Sequence, residues 1–205
     1  MSTLKMKEKP LHNFQQKAAE QSARILYDIV SHIPKSKLKP VVNPQIASEE
    51  LISKAAIFSS TTSASLSAPG GLLGLATIFP DLATIWRIQS KLVADIAALH
   101  GQSHRLNQEA MIWCLFRHTT TEVAKDFAVR LGERILLQQL SQKALQQLLK
   151  RIGVQSFKKI SSKSIARFIP FAGATVSGFY TWHSTQKVGQ TAMELFSNYE
   201  SEDTH

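Results

Sequence analysis

From Phe168 to Gln186 the chain carries no Asp, Glu, Lys or Arg, and a second run, from Ala55 to Pro80, carries none either. Charged side chains keep the outer face of a helix in water, so runs of this length need cover, in the protein's own core or in a membrane. Both are also punctuated. Pro69, Gly70, Gly71 and Pro80 interrupt one, and Pro170 stands near the start of the other, ahead of Gly173, Ala174, Ser177 and Gly178. A bilayer-spanning helix needs about 20 consecutive apolar residues, and Pro170 and His183 shorten the usable part of the later run below that. Each run is therefore expected to form a buried, glycine-containing hairpin, its small residues letting two helices approach closely.

At 205 residues the chain is long enough for one domain with a substantial core. Only 19% of its residues are charged, against about 25% for an ordinary soluble domain, which predicts wide apolar surfaces. The net charge of +9 is unevenly spread. Residues 133–167 hold eight Lys or Arg against the single Glu133, whereas 168–205 hold only Lys187 against four acids. A basic block beside an uncharged one favours an anionic surface as partner, either phospholipid headgroups or nucleic acid. The single cysteine, Cys114, excludes an internal disulfide and a cysteine-based zinc cluster and fits a reducing compartment. No apolar run follows the basic N-terminal residues, so no secretory signal is read there, and a cytoplasmic location is expected.

Periodicity predicts helices throughout. Residues 1–10 form a disordered basic lead. A first helix runs from about Leu11 to Ile33 and is stopped by Pro34, and a Pro/Lys-rich linker fills the remainder of 11–46. The next helix is expected near Ser48. It is followed by a Gly-rich bend and a break at Pro80, with Asp81 in the first turn of a helix that ends at Gly101. Asn107 to Arg117 reads as a short helix, Thr119-Thr-Thr-Glu122 as a capping box, and a long amphipathic helix reaches Arg151. The last helix begins after Pro170 and ends near Tyr199, with 200–205 an acidic disordered tail. No alternating strand pattern occurs, so the fold class is all-α: a single multi-helix domain over 47–199 with Gly/Pro-interrupted apolar hairpins.

No reaction is legible. His100 and His104 have the spacing of two ligands on one helical face, but Gly101 breaks that face and no third ligand is fixed nearby. Cys114 sits in the apolar sequence MIWCLF, as a buried thiol would. Asp81 and Asp95 are about 21 Å apart along a helix, too far to act as an acid/base pair. No phosphate-binding loop, dinucleotide fingerprint or nucleophile elbow is present. The catalytic and metal sets are thus empty, and no cofactor is expected.

The basic run is more informative. Lys150, Arg151, Lys158, Lys159, Lys163 and Arg167 follow one another without an acid, on amphipathic helical sequence that leads into the uncharged segment. Such a run is either a solvated helix face or a surface for anionic lipid, where each cation contributes on the order of 1 kcal/mol. Nucleic acid is the competing partner, but only Phe157 and Phe168 lie among the basic residues and no recognition motif occurs.

Two motifs carry a resemblance. GGLLGLATIFPDLATIWRIQSKLVADIAALHGQ at 70–102 joins a glycine-rich bend, a Pro-Asp-Leu helix start and an Arg/Gln-containing helix. FIPFAGATVSGFYTWHSTQKVGQTAMELF at 168–196 joins Pro170 and a small-residue turn to Thr185, Val188, Gly189 and Ala192. Together, over roughly 48–199, they are similar to the EcsC protein family, with Gly70, Gly71, Pro80, Asp81, Pro170, Gly173, Gly178 and Gly189 as the structural motif positions. His100 stands where the family often has an aromatic residue, which suits a packing role. The family takes its name from a protein encoded beside an ABC transporter, and its biochemical function is not established. The resemblance implies membrane association. The expectation is a membrane-associated accessory or interaction protein, peripheral to the inner face and meeting anionic phospholipid, with a transporter or other membrane protein as a further partner. The alternatives are a hydrolase with a site near the Gly-rich bend and His100/His104, and a nucleic-acid-binding helical protein.

Overall fold

Pro44 opens the first long helix, α1 (Pro44–Leu66), in a computed structural model that describes residues 24, 27–66, 72–118 and 170–203, with side chains over 24, 27–65, 83–118 and 178–199. The sequence places this start nearer Ser48. Proline suits the first helical turn, where its missing N–H would have no partner anyway, and the Asn43 carbonyl accepts the Ala47 N–H at 3.3 Å. Ser48 is thereby fully buried inside the helix rather than capping it. Residues 27–31 are helical as expected, and Ile29 and Val30 reach the core. The segment after Pro34 is extended but not loose, because Ser36 Oγ donates to Asp95 at 2.6 Å and the Val41 N–H to the Leu99 carbonyl at 3.2 Å.

The second helix, α2 (Leu72–Leu99), runs unbroken through Pro80. The break expected there does not occur, and Asp81 lies within the helix rather than in its first turn. An internal proline forfeits one backbone bond, here to the Ala76 carbonyl, at a cost of about 3 kcal/mol. Beyond it Ala83, Ile85, Trp86, Gln89, Ser90, Leu92 and Val93 are all buried, and that tertiary burial outweighs the local penalty. The C-terminus closes as the periodicity predicts. Gly101 takes φ +69, its N–H bonds the Ala98 carbonyl at 3.0 Å, and Gln102 N–H bonds the Ala97 carbonyl at 2.8 Å. This pair of bonds is a Schellman turn, which needs a left-handed residue that glycine supplies without strain.

A single 3-10 turn, Ser103–Arg105, leads to α3 (Gln108–Phe116), where the Asn107 side chain caps by accepting from Ala110 N–H at 2.8 Å. Its Met111, Ile112, Cys114, Leu115 and Phe116 are buried, and Phe116 meets Trp86 edge-to-face with ring centres 6.2 Å apart. The expected capping box at 119–122, the helix to 151 and the basic run lie outside the described residues.

The last helix, α4 (Pro170–Asp203), is also continuous. No hairpin forms at Gly173 and Gly178, and the helix outlasts Tyr199 because no Gly or Pro follows to stop it. The two uncharged runs instead meet each other. Ile52 lies against Gly189, Ser59 bonds Thr185, and Ser63 bonds Thr181, so α1 and α4 are antiparallel neighbours along much of their length. Ile52, Trp86, Val93, Ile96, Met111, Val188, Ala192 and Phe196 form the core among α1, α2, α3 and α4. The described residues contain helices and no strand, and the fold is all-α.

Candidate functional site

Thr185, Val188, Gly189 and Ala192 recur at the three- and four-residue steps that put side chains on one helical face. On α4 that face turns inward. Val188 and Ala192 are fully buried, and Gly189 lies so close to Ile52 that a Cβ there would stand 2.3 Å from Ile52 Cγ1. Gly178, further along, leaves room for the Ser60 carbonyl and the Ala64 methyl, at 3.3 and 3.5 Å from where its Cβ would be.

Thr185 heads a buried polar relay. Gln89 Nε2, from α2, donates to Thr185 Oγ1 at 3.2 Å, Thr185 and Ser59 Oγ are 2.9 Å apart, and Ser59 Oγ donates to the Ala56 carbonyl at 3.1 Å. A hydroxyl has one proton to give, so Ser59, having given its own to Ala56, accepts from Thr185. Gln89 also donates to Ser184 Oγ at 3.3 Å, and Ser184 lies 3.2 Å from His118 Nε2. Nδ1 of His118 is buried with no hydrogen-bond partner among the described residues. Burial, then the neighbouring His183 and Lys187, lower the His118 pKa to about 4, so the ring is neutral at neutral pH. The sequence reading missed this relay, because Ser59 and Thr185 are 126 positions apart. Its only trace was that Gln89 and Thr185 each fall inside one of the two motifs.

Outside this seam the described residues do not fully cover the uncharged halves of α1 and α4: Ile57 and Phe58 are 60% and 61% exposed, and Phe179 and Tyr180 are 70% and 65% exposed. The hydroxyls on this part of α1 are turned back onto their own helix: Ser60 to the Ile57 carbonyl, Thr61 to Ile57 and Phe58, Thr62 to Phe58 and Ser65 to Thr61, all within 3.0 Å. Charge resumes at matching levels, with Lys54, paired to Glu50 at 2.5 Å, on α1 and Lys187 on α4.

The remaining sequence candidates scatter. His100 is buried with Nε2 3.5 Å from Ser48 Oγ, a packing position, while His104 is exposed in the 3-10 turn. Gly101 turns the chain between them, and among the described residues no three His, Cys, Asp or Glu converge as metal ligands would. Along unbroken α2, Asp81 and His100 are about 28 Å apart. Asp81 and His100 therefore do not share one site, and the Gly-rich bend itself lies outside the described residues. Cys114 is fully buried, which pushes its thiol pKa up and leaves it a core residue. Pro80 and Asp81 lie on α2, Pro170, Gly173, Gly178 and Gly189 on α4, and Gly70 and Gly71 outside the described residues, as do Lys150, Arg151, Lys158, Lys159, Lys163 and Arg167. No described helix is long and apolar enough to cross a membrane.

Neither the curated proteins nor the solved structures contain a significant match to the chain. The family model described as the EcsC protein family matches residues 5–198, which takes in both motifs, α1, α2, α3, all but the last turn of α4, and residues ahead of 48 that the motif resemblance did not reach. The chain belongs to the EcsC protein family.

Proposed function

We propose that this chain is a non-enzymatic accessory or interaction protein held peripherally on the cytoplasmic face of a membrane, with a transporter or other membrane protein as its partner there. The observation that carries this reading is the axial segregation of charge in α1 and α4. Antiparallel packing brings the uncharged half of one helix beside the uncharged half of the other, and the charged halves beside each other. With Ile57, Phe58, Phe179 and Tyr180 exposed inside the uncharged halves, a lipid–water boundary rewards such a division. The basic run Lys150, Arg151, Lys158, Lys159, Lys163 and Arg167 supplies attraction for anionic headgroups.

Flotation with phosphatidylglycerol-containing vesicles tests the reading. At low salt the protein rises with the vesicles, and reversing those six charges weakens its recovery. Absence of flotation, or flotation unchanged by charge reversal, overturns it. A steep salt-dependent shift of duplex or single-stranded nucleic acid, with no vesicle binding, would assign the basic run to nucleic acid instead.

A further inference from the structure

Resting on the membrane reading above, we infer that the C-terminal half of α1 and the N-terminal half of α4 are the part of the chain that enters lipid, to the depth of a single leaflet, with Ile57, Phe58, Phe179 and Tyr180 as the penetrating side chains.

Single exposed apolar residues are ordinary on protein surfaces. What sets these apart is their setting. All four lie in the uncharged halves of two helices, and the Ser59–Thr185 and Ser63–Thr181 bonds fix those halves at the same end of the pair. Hydroxyls that would object to a low-dielectric medium are already satisfied. Ser60, Thr61, Thr62 and Ser65 donate to carbonyls three or four residues back, so this stretch of α1 presents methyl and methylene groups outward without an unmet donor among them.

The boundary is marked as a headgroup layer would need. Gly189 sits on Ile52 and Thr185 bonds Ser59, so the exposed Lys187 and Lys54 lie at one level, where charge begins on both helices. The exposed His183 lies in the last turns of the uncharged half of α4, about one turn from Lys187, and the exposed Arg87 lies two residues before Gln89, which bonds Thr185; both are near enough to the boundary to reach the phosphate region. Tyr180 has the amphipathic ring that favours the interface. From Ala55 to Leu66 α1 extends about 18 Å and from Pro170 to Gln186 α4 about 25 Å, both short of the roughly 30 Å hydrocarbon core, so the pair enters from one side, tilted into a single leaflet, without crossing.

Cysteine labelling tests the assignment on the full chain, because native Cys114 is buried. Phe58→Cys, Phe179→Cys and Gln190→Cys are each labelled with an environment-sensitive fluorophore and mixed with phosphatidylcholine/phosphatidylglycerol vesicles bearing brominated acyl chains. Labels at 58 and 179 shift to the blue and are quenched, and the label at 190 is neither. The Phe58→Ser/Phe179→Ser variant keeps its helical circular dichroism and partitions onto vesicles about tenfold more weakly. Vesicle binding with the labels at 58 and 179 still in water overturns this inference and leaves the membrane reading standing, whereas absence of vesicle binding overturns both. A blue shift that depends on protein concentration without vesicles, accompanied by a dimer in sedimentation, would make a second copy the cover and overturn the lipid assignment.

Discussion

Thr185 of α4 and Ser59 of α1, both fully buried, share a hydrogen bond of 2.9 Å whose direction is set by Ser59 giving its own proton to Ala56. Thr185→Val keeps the shape but leaves the Gln89 amide with Ser184 as its remaining side-chain acceptor and strands one lone pair of Ser59, so it costs about 1–3 kcal/mol. Urea titration reads the loss. In a double-mutant cycle with Ser59→Ala the two changes should be strongly non-additive, and simple additivity would mean that the relay is not a unit.

Gly189 has no room for a side chain. Gly189→Ala must displace Ile52, at a cost of about 1–3 kcal/mol. A companion Ile52→Val change, which removes a methyl group from the neighbouring side chain, recovers part of the loss if crowding is its cause. Gly178→Ala should be milder, since its nearest neighbour is the Ser60 carbonyl at 3.3 Å rather than a colliding side chain.

His118 links stability to acid. Its folded-state pKa of about 4 lies below the usual value of 6.5, because the ring is buried and faces His183 and Lys187 on α4. Between those two values the unfolded chain binds the proton more readily, so stability is complete above about pH 6.5 and falls as pH drops toward 4, by about 2–3 kcal/mol. Thermal melts at pH 7 and pH 4.5 should show this difference in the native chain. In His118→Gln the part due to the imidazole should vanish, and an unchanged pH slope would place the titration elsewhere.

Cys114 should be silent in the folded protein. Burial and a raised thiol pKa predict no reaction with an aromatic disulfide reagent under native conditions and rapid reaction in urea. Native-state reactivity on the same timescale would show that α3 opens locally.

The all-α class and the short α3 were legible because they rest on local signals: the absence of alternation, and Asn107 poised to cap. Continuity through Pro80 and through Gly173 and Gly178 was not. Proline and glycine impose local penalties of about 1–3 kcal/mol, and whether burial outweighs them depends on partners distant in sequence. The same limit hid the relay from Gln89 to Ser59. It also produced the expectation of a second self-contained hairpin, where the structure instead lays one uncharged run against the other. The uncharged character of the candidate surface was visible from the start, but the exposure of Phe58 and Phe179 within it was not.

The C-terminus of α2 is closed twice, by its own Schellman turn at Gly101 and by the Val41 N–H reaching the Leu99 carbonyl. Pro40 completes the seal, in van der Waals reach of a Cβ built on Gly101. Residues 36–41 and 95–102 are thereby stitched into one cooperative unit. They would exchange their amide hydrogens together, and trimming the chain back to the start of α1 would fray the far end of α2 before touching the helix that was cut.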